Sequence, residues 1–131
     1  MRYLTALIIL VTLITTGCNK KDEIDFNQLV DSLGKAEKTM NSKELVTTTA
    51  SSSNSTDGII NFRIMVEDRL TNEQAKGLVF DFYNEIEKGI SDINLFRQSY
   101  QINFDIKSEK DGEIIYKGQR NKGEEQIWWQ F

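Results

Sequence analysis

The chain has 131 residues, 16 basic and 20 acidic side chains, a net charge of −4, one cysteine, and neither histidine nor proline. An acidic balance excludes the basic footprint of a nucleic-acid binder. The missing histidine removes Ser-His-Asp and Cys-His catalysis and the usual zinc ligand sets, and a lone cysteine cannot close an internal disulfide.

The amino-terminal stretch reads as an export signal. Arg2 and the amino terminus supply positive charge, Leu4 to Ile14 is a run of apolar residues and threonines, and small residues close it. The run falls short of the roughly 20 residues a spanning helix needs. Its end, Thr15-Thr16-Gly17-Cys18, resembles the lipobox of bacterial lipoproteins, with Thr15 where the box usually has leucine. The resemblance implies a diacylglyceryl thioether on Cys18 and cleavage just before it. Read from the residues alone, Cys18 stays open between lipid attachment, a free thiol and half of an intermolecular disulfide; a metal site would lack histidine companions.

Residues 1–17 are the expected signal peptide, 18–24 the lipidated cysteine and tether, and 25–131 a single domain. Removing 17 of 131 residues leaves 114, with 15 basic against 20 acidic groups because Arg2 departs. That is one ordinary domain, large enough for its own core. The charge argues against polybasic attachment to anionic lipid, so acyl chains would hold the membrane. Asn19 to Glu23 reaches about 17 Å when extended. The domain is therefore expected beside the bilayer, on the extracytoplasmic face of the cell membrane.

Phe26, Leu29, Val30, Leu33, Ala36 and Met40 recur at helical spacing and predict a helix from Phe26 to Met40, with Asp25 and Gln28 as a capping box. Gly34 costs it about 1 kcal/mol relative to alanine, so packing must stabilise it. Leu45 to Thr49 is rich in β-branched residues and predicts a strand. Ser51 to Gly58 reads as a polar turn closing on a hairpin-type Asp-Gly. Ile60, Phe62, Ile64 and Val66 alternate with polar residues as a second strand.

A second capping box, Thr71 with Gln74, opens the main helix, whose stripe is Ala75, Leu78, Val79, Phe82, Tyr83 and Ile86; Gly89 predicts a left-handed stop. Three strands follow. Tyr100 to Lys107 alternates, Asp111-Gly112 turns into Glu113 to Lys117, and Asn121-Lys122-Gly123 turns into Gln126 to Phe131. The expected fold is α+β, in the order α-β-β-α-β-β-β, with a mainly antiparallel curved sheet covered on one face by helices.

The catalytic inventory is thin. Glu67-Asp68 and Glu124-Glu125 are adjacent carboxylates that read as solvated strand ends, and Gly112, Gly118 and Gly123 read as turn glycines without phosphate-loop spacing. The chain is expected to be no enzyme and to need no cofactor or metal. Candidate partner-binding residues are Arg63, Gln126 and Trp128 on the outer sheet face, with Tyr116 at its edge, because tryptophan and arginine are enriched at binding hot spots. Trp128 serves equally well as cover for the sheet.

The element order, the strand Ile60 to Glu67, the Thr71-Asn72-Glu73-Gln74-Ala75 helix start and the closing Gly118 to Phe131 resemble small cystatin-like-fold lipoproteins of Gram-positive bacteria. The mature region is similar to the exclusion lipoproteins of integrative and conjugative elements. That similarity implies a surface protein that recognises the donor's conjugation machinery and blocks redundant transfer. Inhibitory cystatins carry Gln-x-Val-x-Gly and Pro-Trp hairpins that this chain lacks, so protease inhibition is not implied. Alternative readings are a small-ligand binder, with a pocket lined by Phe82, Phe104 and Trp129, and an accessory subunit of an envelope complex. The oligomeric state is left open.

Overall fold

A computed structural model describes residues 22–130. The signal segment, Cys18 and most of the tether lie outside the described residues, as does Phe131. The elements run α1 (Phe26–Met40), β1 (Thr48–Asn54), β2 (Ile59–Val66), α2 (Asn72–Lys88), α3 (Ile93–Ser99), β3 (Gln101–Ser108), β4 (Ile114–Arg120) and β5 (Trp128–Gln130). The fold is α+β: three helices and one open five-stranded mixed sheet in the order β1-β2-β3-β4-β5.

Helix α1 has the expected bounds, and Asp25 caps it by accepting the Asn27 N–H at 2.9 Å. Gln28 does not complete the capping box. Its carboxamide oxygen instead accepts from the Ser91 N–H at 3.2 Å and hydroxyl at 3.1 Å, tying α1 to the end of α2. Leu29, Leu33, Ala36 and Met40 are buried, whereas Phe26 and Val30 are exposed. Val30 lies about 100° round the helix from Leu29, off the buried face.

Ser32 donates to the Ile86 carbonyl from within the helix contact. A Cβ on Gly89 would lie 2.6 Å from Ser32 Cβ. Gly89 has φ −90°, so it is not the expected left-handed stop; close approach of α1 and α2 demands it instead. The Thr71–Gln74 capping box forms as expected, and the whole predicted stripe of α2 is buried.

The fold departs from expectation in the bounds of the strands, in an added helix and in one strand pairing. Strand β1 is shifted to Thr48–Asn54, so the serines expected in a turn pair with β2 as strand residues. The strand is held by side-chain bonds to α1 and its C-cap: Thr49 Oγ1 lies 2.9 Å from Asn41 Oδ1, and Ser51 donates to Glu37. The turn itself starts at Asn54, whose Oδ1 accepts the N–H groups of Thr56 and Asp57. Helix α3, capped by Asp92 accepting the Leu95 N–H at 2.9 Å, was not expected. Finally, β2 and β3 pair in parallel while the other three pairings are antiparallel. The α2–α3 connection makes a crossover, which parallel neighbours require.

The core lies between the helices and one sheet face. Phe62 stacks on Phe82 with centroids 4.1 Å apart, Tyr83 stands edge-on to Phe62 and Phe104, and Trp129 packs edge-on to Phe104 at 5.0 Å. These rings fill the space where a pocket lined by Phe82, Phe104 and Trp129 was expected. Gly118 is not a turn glycine: it sits inside β4, where a Cβ would meet the Trp128 carbonyl and come within 2.6 Å of Phe104 Cζ.

Candidate functional site

Strand alternation leaves the second sheet face with polar side chains, and the register orders them into two rows across four strands. One row is Asn61, Asn103, Gln119 and Trp128; its neighbour is Arg63, Asp105, Lys117 and Gln130. Between them lies a shallow hollow of about 230 Å³, lined by Asn61, Asn103, Asp105, Lys117, Gln119 and Gln130 among others.

Opposed register positions decide the local electrostatics. Arg63 Nε donates to Asp105 Oδ1 at 2.6 Å and Nη2 to Oδ2 at 2.9 Å. This two-pronged bond, reinforced by the charge of Asp105, raises the Arg63 pKa above its ordinary value. Amides form a second chain: Gln101 Nε2 donates to Asn103 Oδ1 at 2.8 Å, and Asn103 Nδ2 to Asn61 Oδ1 at 3.0 Å. At the β5 side, Glu124 Oε2 accepts from Asn121 Nδ2 at 3.0 Å and from the Trp128 indole at 2.8 Å. The indole is thereby held in place, with Trp128 49 % exposed.

The candidate residues are therefore only partly brought together. Arg63 and Trp128 share the outer face, but three strand spacings, roughly 14 Å, separate them. Gln126 is exposed in the connection before β5 rather than in the strand. Tyr116 is not at the outer edge. It opposes Ile106 on the core side, its hydroxyl donates to the Leu70 carbonyl at 2.8 Å and lies 2.9 Å from the Asn72 carboxamide, and its ring stands edge-on to Trp129. Alternation with Gly118 and Arg120, which oppose Phe104 and Ile102, puts it on that side; beyond it a register shift between Ile106 and Lys107 leaves Ile115 unpaired. A bulge of one residue puts Ile114 and Tyr116 on opposite faces, where plain alternation would join them. Cys18 lies outside the described residues.

A second constellation went unforeseen. Glu87 on α2 accepts from Arg97 Nε at 2.7 Å and Nη2 at 2.8 Å, and from Arg120 Nη1 at 3.0 Å. Burial pushes the Glu87 carboxyl up, but the two guanidiniums outweigh it and hold the group below its ordinary value. Arg120 is 3 % exposed, with its guanidinium 5.1 Å from the Tyr83 ring centre and 5.7 Å from that of Phe96. Its Nε and Nη2 have no hydrogen-bond partner among the described residues. Two signals were available in the sequence: Glu87 follows Tyr83 by four residues on the buried stripe, and β4 extended to residue 120 puts Arg120 on the face of Gly118. Ending the strand at Lys117 hid the second.

No protein-family model, curated protein or solved structure matches this chain.

Proposed function

We propose that this chain is a lipid-anchored surface protein that works by binding another protein through the outer face of its sheet. Its role on this reading is exclusion of redundant conjugative transfer. Cys18 carries the anchor, the domain is cystatin-like, and no chemistry is performed.

The observation that carries the reading is the outer face itself, which no helix among the described residues covers. The buried apolar side chains of β2 and β3 all point towards the helices, leaving two polar rows, a hollow and the half-exposed Trp128 on the other side. Strands about 4.8 Å apart and some 25 Å long give this face on the order of 500 Å², near the lower end of what one partner contributes to a specific interface. Trp128 and Arg63 are the residue types that dominate binding energy in such surfaces. Strand positions occupied by Asn61, Asn103 and Gln119 also run against ordinary β preference, which disfavours asparagine.

A mating assay tests the proposal. Recipient cells expressing the chain should acquire a cognate conjugative element far less often than cells without it, and Cys18→Ala should abolish the protection. Trp128→Ala, and Arg63→Glu facing Asp105, should weaken protection while surface levels stay unchanged. Unaltered transfer for every element tried, with the protein present at the surface, would falsify exclusion.

A further inference from the structure

The Glu87 cluster borders a second cavity, away from the outer sheet face. It has a volume of about 230 Å³; Phe80, Tyr83 and Ile127 give it apolar walls, and Arg97, Arg120 and Glu125 give it charge. We propose that this cavity binds a small carboxylate with an apolar flank.

Three observations converge on that chemistry. Two guanidiniums face the single carboxylate of Glu87, and the second negative charge that balances them comes from Glu125 at the solvent rim. Arg120 keeps the donors on Nε and Nη2 unpaired although the side chain is 96 % buried, its exposure being 4 %. Nearly all buried donors in folded proteins have partners, and an orphaned charged donor is among the most costly to leave so. The third is the seat already taken by Glu125, whose carboxylate is 87 % exposed and touches Arg97 Nη1 at 3.2 Å. It balances the cluster from the solvent side, where a ligand carboxylate would do so from within.

Both orphaned nitrogens are closed to solvent in this state, so binding requires the connection carrying Glu125 and Ile127 to move outward. The guanidinium fork favours a planar, two-oxygen acceptor. Phe80, 60 % exposed, with Ile127 beside it, offers apolar surface to whatever carries that acceptor. The volume is below the roughly 300–1,000 Å³ of drug-sized sites, so the bound group is small. It is either a free acid or the last residue of a peptide, which present the same carboxylate.

The test titrates the full chain, purified in detergent, with 3-phenylpropanoate and with 3-phenylpropan-1-ol, which has the same flank and no charge. A short peptide ending in a free phenylalanine carboxylate and its amidated form are the second pair. Calorimetry should show saturable binding of at least one acid, at least about tenfold tighter than its uncharged counterpart, as expected for a charge-assisted bond. The acid that binds identifies the source. Arg120→Met and Arg97→Gln should each weaken binding by about tenfold or more, whereas Glu125→Ala, which vacates Arg97, should tighten it. Equal affinity for acid and alcohol, no saturable binding of either acid, or a Glu125→Ala variant that binds more weakly would overturn the proposal. The Glu125 variant changes an exposed side chain, so its result stands even where an arginine variant fails to fold.

Discussion

Replacing Glu87 with alanine removes the only hydrogen-bond acceptor that Arg120 has among the described residues. Arg97 loses the same partner, but its side chain is 32 % exposed and can fall back on water and on Glu125. Arg120, 3 % exposed and flanked by two aromatic rings, cannot. Breaking a buried pair in this way costs about 3–5 kcal/mol. A domain of this size has a two- to threefold larger total, at roughly 0.05–0.15 kcal/mol per residue. Arg120→Met acts on the same pair from the other side with the opposite consequence. It removes both orphaned nitrogens, leaves Glu87 doubly bonded to Arg97, and puts a flexible thioether between Tyr83 and Phe96. The expected change is within about 1 kcal/mol of zero, or stabilising. Urea unfolding followed by tryptophan fluorescence reads both: with a slope of about 2 kcal/mol per molar, Glu87→Ala should lower the midpoint by about 1.5–2.5 M, and Arg120→Met by less than about 0.5 M. Equal losses in the two variants would refute the asymmetry, because they would mean that the buried cation stabilises the fold.

The same carboxylate sets a pH dependence. Its folded pKa lies below the ordinary 4.5, so its contribution is complete above that value and is lost as the pH falls through the folded pKa. The difference in urea midpoint between the native chain and Glu87→Gln should therefore shrink below about pH 4.5, and a gap that stays constant down to pH 3 would count against the pairing. Gly118→Ala forces a methyl to within 2.6 Å of Phe104 Cζ and against the Trp128 carbonyl, so it should cost about 1–3 kcal/mol and red-shift tryptophan emission as β5 is pushed off; an unshifted spectrum with native stability would disprove that packing. Arg63→Ala and Asp105→Ala, analysed as a double-mutant cycle, should give a coupling of only about 0.2–1 kcal/mol, since Arg63 is 41 % exposed. A larger value would disqualify Arg63 variants as structurally quiet probes of the outer face.

Features governed by a few neighbouring residues were legible in the sequence. The bounds of α1, the Thr71–Gln74 capping box, the buried stripe of α2 and the alternation of β2 and β3 all follow from periodicity or from a cap that closes within one turn. The turns at Gly112 and Gly123 belong here too, with φ +72° and +76°, because only glycine reaches that backbone region without cost. The candidate site was half legible: alternation placed Arg63 and Trp128 on the outer face, and carried through Gly118 to Arg120 it also turns Tyr116 inward, but it could not foresee the bulge at Ile115 that turns Ile114 outward.

Partner-dependent features were decided by tertiary structure. Serines with little strand preference became β1 because Glu37 on α1 bonds Ser51, Asn41 at the end of α1 bonds Thr49, and β2 offers a free edge. The parallel pairing of β2 and β3 follows from the path of α2 and α3, which no local pattern encodes. Arg120 is the extreme case. Alone, an arginine near a strand end belongs in water; Glu87 and Arg97, 33 and 23 residues away in sequence, together with two aromatic rings, make a buried position tenable. Hydrophobic periodicity reports what each segment must hide from water, whereas the burial of a charge depends on which groups the fold brings to meet it.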